Sequence, residues 1–307
     1  MKRIVISFLA FLLTANTFFA QDTSKEKDLK SKSSLEEDGW SKGGVFNLNF
    51  SQVSLTNWAG GGVNSISLNT LFNLFANYKK GTSTWENSIT LGYGVTKQGK
   101  ADFFKSDDRL DFTSKYGQEA FGNWYYAGLL NFRTQMFDGF ETPGDSAIIS
   151  TLLSPGYLIG AIGLDYKPNK TFTAFIAPAT GKITFVTNQT LADAGAFGVD
   201  PGENIRTEFG GYVRVAYNKE EIIKNVNLTT KLDLFSNYIE NPQNIDVNWE
   251  TIIAMKVNKY LTASLSTLLI YDDDIDITVR DASDNVVAVG PRTQFKQVFG
   301  AGLSVKF

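Results

Sequence analysis

From residue 40 to the end of the chain, apolar and polar residues alternate with a period of two, in runs of ten residues and more. An extended strand turns successive side chains to opposite faces, so each run carries one greasy wall and one polar wall. Ile66, Leu68, Phe72, Leu74, Ala76 and Tyr78 share one face, and Asn69, Asn73 and Asn77 the other. After the turn signal Lys79-Lys80-Gly81, Trp85, Ile89, Leu91, Tyr93 and Val95 alternate with Glu86, Ser88, Thr90 and Thr96. The last run places Phe295, Phe299, Ala301, Leu303, Val305 and Phe307 together. Such runs exceed the ~5–6 residues of an ordinary strand and match the ~9–11 residues of a tilted bilayer crossing.

The pattern predicts strands over 45–54, 65–78, 84–97, 108–117, 123–136, 157–167, 171–178, 204–217, 226–239, 246–258, 260–272 and 293–307. Short connections at 79–83, 118–122, 168–170, 218–225 and 258–260 alternate with longer ones, apart from a short one at 240–245. Short turns at one end and long loops at the other are how bacterial outer-membrane barrels are built. The expected fold is therefore all-β, an antiparallel transmembrane β-barrel of about twelve strands, with both chain ends on the periplasmic, short-turn side. Tyr78, Trp85, Tyr116, Trp124, Tyr166, Phe172 and Tyr217 flank the short turns, while Tyr93, Tyr238, Trp249, Tyr271 and Phe295 lie nearer the long loops. Two such aromatic girdles are expected where a barrel meets the two interfaces. A soluble β-sandwich also alternates, but it explains neither the strand lengths nor the paired girdles.

One segment competes with this reading. Ala147 to Leu164 is an apolar run of near-membrane length, broken by Ser154-Pro155-Gly156. A loop or short helix followed by a strand is expected there. Upstream, Met1-Lys2-Arg3, the apolar stretch Ile4 to Leu13 and Ala20 have the order of a secretory signal cleaved after Ala20. Residues 1–20 are thus expected to be a signal peptide, 21–38 a flexible polar periplasmic tail, and 39–307 the barrel.

Composition removes whole classes of chemistry. The chain has no Cys and no His, which excludes disulfides, thiolate or imidazole metal sites and the Ser-His and Cys-His nucleophile pairs. Its net charge of −3 offers no basic surface for nucleic acid. No catalytic residue, metal site or cofactor is expected, and the chain does not read as an enzyme. Asp272-Asp273-Asp274-Ile275-Asp276 clusters carboxylates but lacks the spacing of a calcium loop. Gly181-Lys182 lacks the upstream Gly of a phosphate-binding loop.

The polar faces carry the candidate site. Glu86, Arg109, Asp111, Lys115, Arg133, Asp165, Arg206, Glu208, Arg214, Lys231, Asp233, Glu250 and Lys256 are expected to line the lumen. They describe either a charged channel or a network of ion pairs that plugs a narrow barrel. The stretch Asn57-Trp58-Ala59-Gly60-Gly61-Gly62 reads as a constriction loop, anchored by Trp58, with Gly60, Gly61 and Gly62 allowing close backbone approach.

Gly39-Trp40, the run from Phe50 to Gly62 and Pro178-Ala179-Thr180-Gly181-Lys182, with a signal ending at Ala20-Gln21, resemble a family of uncharacterised Bacteroidota outer-membrane barrels, a domain of unknown function. The resemblance covers about residues 39–307. It implies fold and location and supplies no catalytic residue. Outer-membrane lipid and lipopolysaccharide are then the expected surroundings. The functional readings are a pore or transporter for small polar solutes, or a non-transporting barrel that anchors an envelope assembly or secretion machine.

Overall fold

A computed structural model describes residues 38–56, 63–258, 260–280 and 286–306. The predicted signal peptide, the tail up to residue 37 and the Trp58–Gly62 constriction loop lie outside the described residues. Among the described residues there are sixteen strands: β1 (Gly39–Val53), β2 (Ser65–Lys80), β3 (Ser83–Gln98), β4 (Phe104–Phe121), β5 (Trp124–Thr134), β6 (Gly139–Phe140), β7 (Ile148–Ser150), β8 (Gly156–Tyr166), β9 (Phe172–Phe185), β10 (Ile205–Ile223), β11 (Val226–Asn237), β12 (Asp246–Lys256), β13 (Leu261–Tyr271), β14 (Asp276–Arg280), β15 (Val286–Pro291) and β16 (Gln294–Lys306).

Twelve of them close into a barrel in the order β1-β2-β3-β4-β5-β8-β9-β10-β11-β12-β13-β16, and β16 returns to β1. Every pairing in the barrel is antiparallel. Closure removes the unpaired edges that an open sheet would leave. The two remaining hairpins, β6–β7 and β14–β15, belong to the long loops. A short helix, α1 (Gln189–Asp193), occupies a third loop; the Asn188 side chain caps it by accepting from Leu191 N at 3.2 Å. The described start of β1 and end of β16 both lie at the short-turn end.

Several boundaries differ from the sequence pattern. β1 begins six residues before the predicted 45, because its glycines and Ser41 conceal an alternation that Trp40, Lys42 and Phe46 carry on the outer face. β9 runs on to Phe185 instead of stopping at 178. Pro178 looks like a terminator, but it falls where the register shifts against both neighbours, and a bulge needs no ladder N–H there. β10 extends to Ile223, so the predicted turn at 218–225 shrinks to two residues. The 147–164 stretch forms β7, a turn and then β8 rather than a helix. Among the described residues, no helix is long and apolar enough to cross a membrane.

Register assigns the two walls. Trp85 pairs with Tyr116, and Tyr78 with Trp85, on the outer face; Glu86 pairs with Lys115 on the inner one. Ile162 (72%), Phe299 (67%), Tyr126 (62%) and Phe295 (61%) are among the most exposed apolar side chains, all facing outward. An outer wall so exposed and apolar suits lipid rather than water. Inside, Leu129, Ile159, Phe175, Tyr212 and Phe235 are buried together with Ala127, Ala161 and Ala177. This core lies on β5 and β8 to β11, so it fills one side of the lumen only. The close packing requires Gly163, where a Cβ would lie 2.0 Å from the Ile176 carbonyl oxygen.

Candidate functional site

The inner face of a strand advances about 6.6 Å per inward side chain. Along β4 the inward residues Asp107, Arg109, Asp111, Thr113 and Lys115 therefore descend the lumen from the long-loop end to the short-turn end. Charges from other strands meet them in three tiers.

The middle tier crosses the barrel. Arg109 on β4 and Glu250 on β12 stand six strands apart in a ring of twelve, on opposite sides of the lumen. The guanidinium grips both carboxylate oxygens of Glu250, one of the two contacts at 2.9 Å, and also donates to Asp111 at 3.0 Å. Lys231 on β11 reaches Asp111 at 3.2 Å and Glu250 at 3.7 Å. Asn131 donates to the second oxygen of Asp111 at 2.7 Å. Beside this bridge, Arg214 binds Asp233 at 2.6 and 2.9 Å, and the Tyr212 hydroxyl donates to Asp233 at 2.8 Å. Bidentate pairing fixes the planar guanidinium in both position and plane.

Below, near the short turns, Lys115 lies 2.6 Å from Asp165 and 3.2 Å from Glu86. Lys167, in the β8–β9 turn, completes the square at 2.5 Å from Glu86 and 3.3 Å from Asp165. Burial opposes the charge on Lys167, but Glu86 and Asp165 outweigh it and hold the ammonium above its ordinary pKa. Asp165 is wholly buried, so both lysines are needed to offset its lost hydration.

Above, near the long loops, Lys182 is surrounded by Asp246 at 2.7 Å, Glu208 at 3.2 Å and Asp272 at 3.4 Å. Arg206 binds Asp274 at 2.8 Å, Glu240 at 3.2 Å and the Gly198 carbonyl at 2.9 Å. The loop acids thus fold back onto lumen bases. Asp272 and Asp274, two members of the acidic run, are engaged by Lys182 and Arg206, while Asp273 accepts from Tyr271 and Asn244. Near the same end, Lys296 spans from β16 to Asp107 at 2.7 Å.

Register places all thirteen predicted lumen residues on the inward face. The tiers bring most of them together. Lys256 sits at the last residue of β12, and among the described residues no ion pair involves it. Arg133 faces Asp111 in register, yet its Nε is buried without a hydrogen-bond partner. Sequence reasoning missed Lys167, Lys182, Asp246 and Asp272. Lys167, Asp246 and Asp272 lie at or just beyond a strand end, where alternation fades, and Lys182 lies past Pro178, where the sequence pattern ends β9 too early.

A closed antiparallel barrel with an apolar outer wall and a charged interior defines the class: a membrane-spanning β-barrel. Residues 50–140 match the family described as "Protein of unknown function (DUF3078)". No curated protein matches the sequence. Among solved structures, the chain is similar to an outer membrane channel from Pseudomonas putida F1, at 11% identity and a TM-score of 0.39, over 89% of this chain and 97% of that one. It is also similar to the translocator domain of the autotransporter NalP from Neisseria meningitidis, at 9% identity and a TM-score of 0.32, over 92% of both chains.

Proposed function

We propose that this chain is an integral outer-membrane barrel acting as a gated pore for small polar solutes, held shut at mid-height by the Arg109–Glu250 bridge. The bridge carries the reading, because it joins opposite walls and so divides the lumen. On one side of it the apolar core and buried charges leave no obvious route. On the other side β13, β16, β1 and β2 turn Ser264, Ser266, Asn49 and Asn73 inward, and all four remain partly exposed. A path there would offer hydrogen bonds and little fixed charge, which suits neutral polar solutes. In this reading the short-turn end and both chain ends face the periplasm.

Conductance in planar bilayers tests it. The wild type should show rare, brief openings, and Glu250→Gln should raise the open fraction at least tenfold by weakening the grip on Arg109. Silence of both proteins, with the barrel intact by its heat-dependent gel mobility, would reject the pore. That result would favour the second reading, a closed barrel serving as an anchor. Its support is the way Lys182 and Arg206 pin the long loops into a fixed surface.

A further inference from the structure

The outer wall near the short turns carries a feature that lumen chemistry does not use. Four aromatic side chains form one hydrogen-bond-registered row across β1 to β4: Trp40, Tyr78, Trp85 and Tyr116. The next outward row toward the membrane centre is unlike the rest of that wall: Lys42, Ala76, Asn87 and Ser114. The row beyond it is apolar again, with Leu74, Ile89 and Phe112. A polar shelf therefore lies beneath an aromatic roof, and a groove of about 520 Å³ opens there between Lys42 and Phe112.

Most of the shelf is internally satisfied. Trp85 Nε1 donates to Ser114 Oγ at 2.9 Å, Ser114 donates to Asn87 Oδ1 at 2.8 Å, and Asn87 Nδ2 donates to the Ala76 carbonyl at 3.0 Å. Lys42 is the exception. Among the described residues it is the one charged side chain on the outer wall between the two aromatic girdles, and it is exposed. Its ammonium bends back to lie 5.3 Å from the centre of the Trp40 ring. A cation on a lipid-facing wall is costly unless it reaches the interface or meets an anion. Lys42 does the first and is placed for the second. The small Ala76 beside it keeps the apolar groove open below the ammonium.

We propose that this notch binds one anionic phospholipid, its phosphate on Lys42 beside Trp40 and an acyl chain in the groove against Leu74, Ile89 and Phe112. The inference rests on the barrel spanning a membrane and not on conduction. Charge complementarity selects the headgroup, since a zwitterionic lipid would bring a choline next to the ammonium. The groove's apolar wall selects a lipid over a water-soluble phosphate.

Native mass spectrometry of the detergent-solubilised full chain, titrated with dioleoyl-phosphatidylglycerol or dioleoyl-phosphatidylcholine, tests the site. One phosphatidylglycerol should be retained at concentrations where phosphatidylcholine is not. Lys42→Gln should weaken that retention about fivefold, the worth of one cation near an anionic headgroup. Ala76→Leu, which fills the groove and leaves Lys42 in place, should weaken it as well. Lys80→Gln, at the rim, should leave it unchanged. Equal retention by wild type, Lys42→Gln and Ala76→Leu, all with the gel shift of a folded barrel, overturns the proposal. Failure of the wild type to enter lipid vesicles would be a separate result: it removes the membrane-spanning reading, and this site with it.

Discussion

The two sides of the lumen are built on opposite principles. On β5 and β8 to β11, inward side chains are close-packed: Phe175 is 1% exposed and Tyr212 2%. Charged and amide groups there are as deeply buried, with Asn131 at 1% and Asp233 at 4%. Across the bridge, on β13, β16, β1 and β2, small hydroxyl and amide side chains line much of the wall and keep part of their surface exposed. The difference shows where charge is tolerated. A buried carboxylate persists only where packed neighbours hold a base in place against it. A Ser or Asn needs no such arrangement when water can reach it. Close packing and a partly exposed polar wall therefore fall to different strands of one sheet.

Substitutions on the two sides can break or sharpen this contrast. The largest effect is expected on the packed side. Arg214→Met leaves Asp233 buried without its guanidinium, and should cost about 3–5 kcal/mol in denaturant unfolding from lipid, followed by Trp fluorescence. A loss below about 1 kcal/mol would mean that water already enters this side. A matched pair of asparagines sharpens the comparison. Asn131 donates to Asp111, to the Phe112 carbonyl and to Thr113, whereas among the described residues Asn73 donates to Thr90 alone, at 2.8 Å. Asn131→Ala should destabilise by about 2–3 kcal/mol and Asn73→Ala by about 1 kcal/mol or less, in the same assay. Equal losses would erase the distinction. The smallest effect is expected for Ser266→Ala on the partly exposed side, within about 0.5 kcal/mol of wild type.

Much of the architecture is legible in the sequence, for a physical reason. A period-two pattern reports which face each residue takes, and the facing of Glu86, Arg109 or Trp85 needs nothing further. The same pattern is blind to two things. It cannot tell that Ile159 and Phe175 point inward, because both faces of β8 and β9 are largely apolar and either assignment satisfies hydrophobicity. Nor can it say that Arg109 meets Glu250. That contact depends on counting six strands around a closed ring, a property of circumference rather than of any local run. The end of β9 was obscured differently, since Pro178 is a break signal that a bulge absorbs.

The connectivity has a consequence for how the molecule assembles. Eleven of its twelve seams join barrel strands that follow one another along the chain, and the remaining seam, β1 against β16, joins the first barrel strand to the last. Zipping can proceed by neighbour-to-neighbour steps, with the entropy of long-range closure concentrated in one final event. Until that event the growing sheet offers a raw edge at each end, open to any other extended chain. The last strand is thus the one that both completes the wall and ends the exposure.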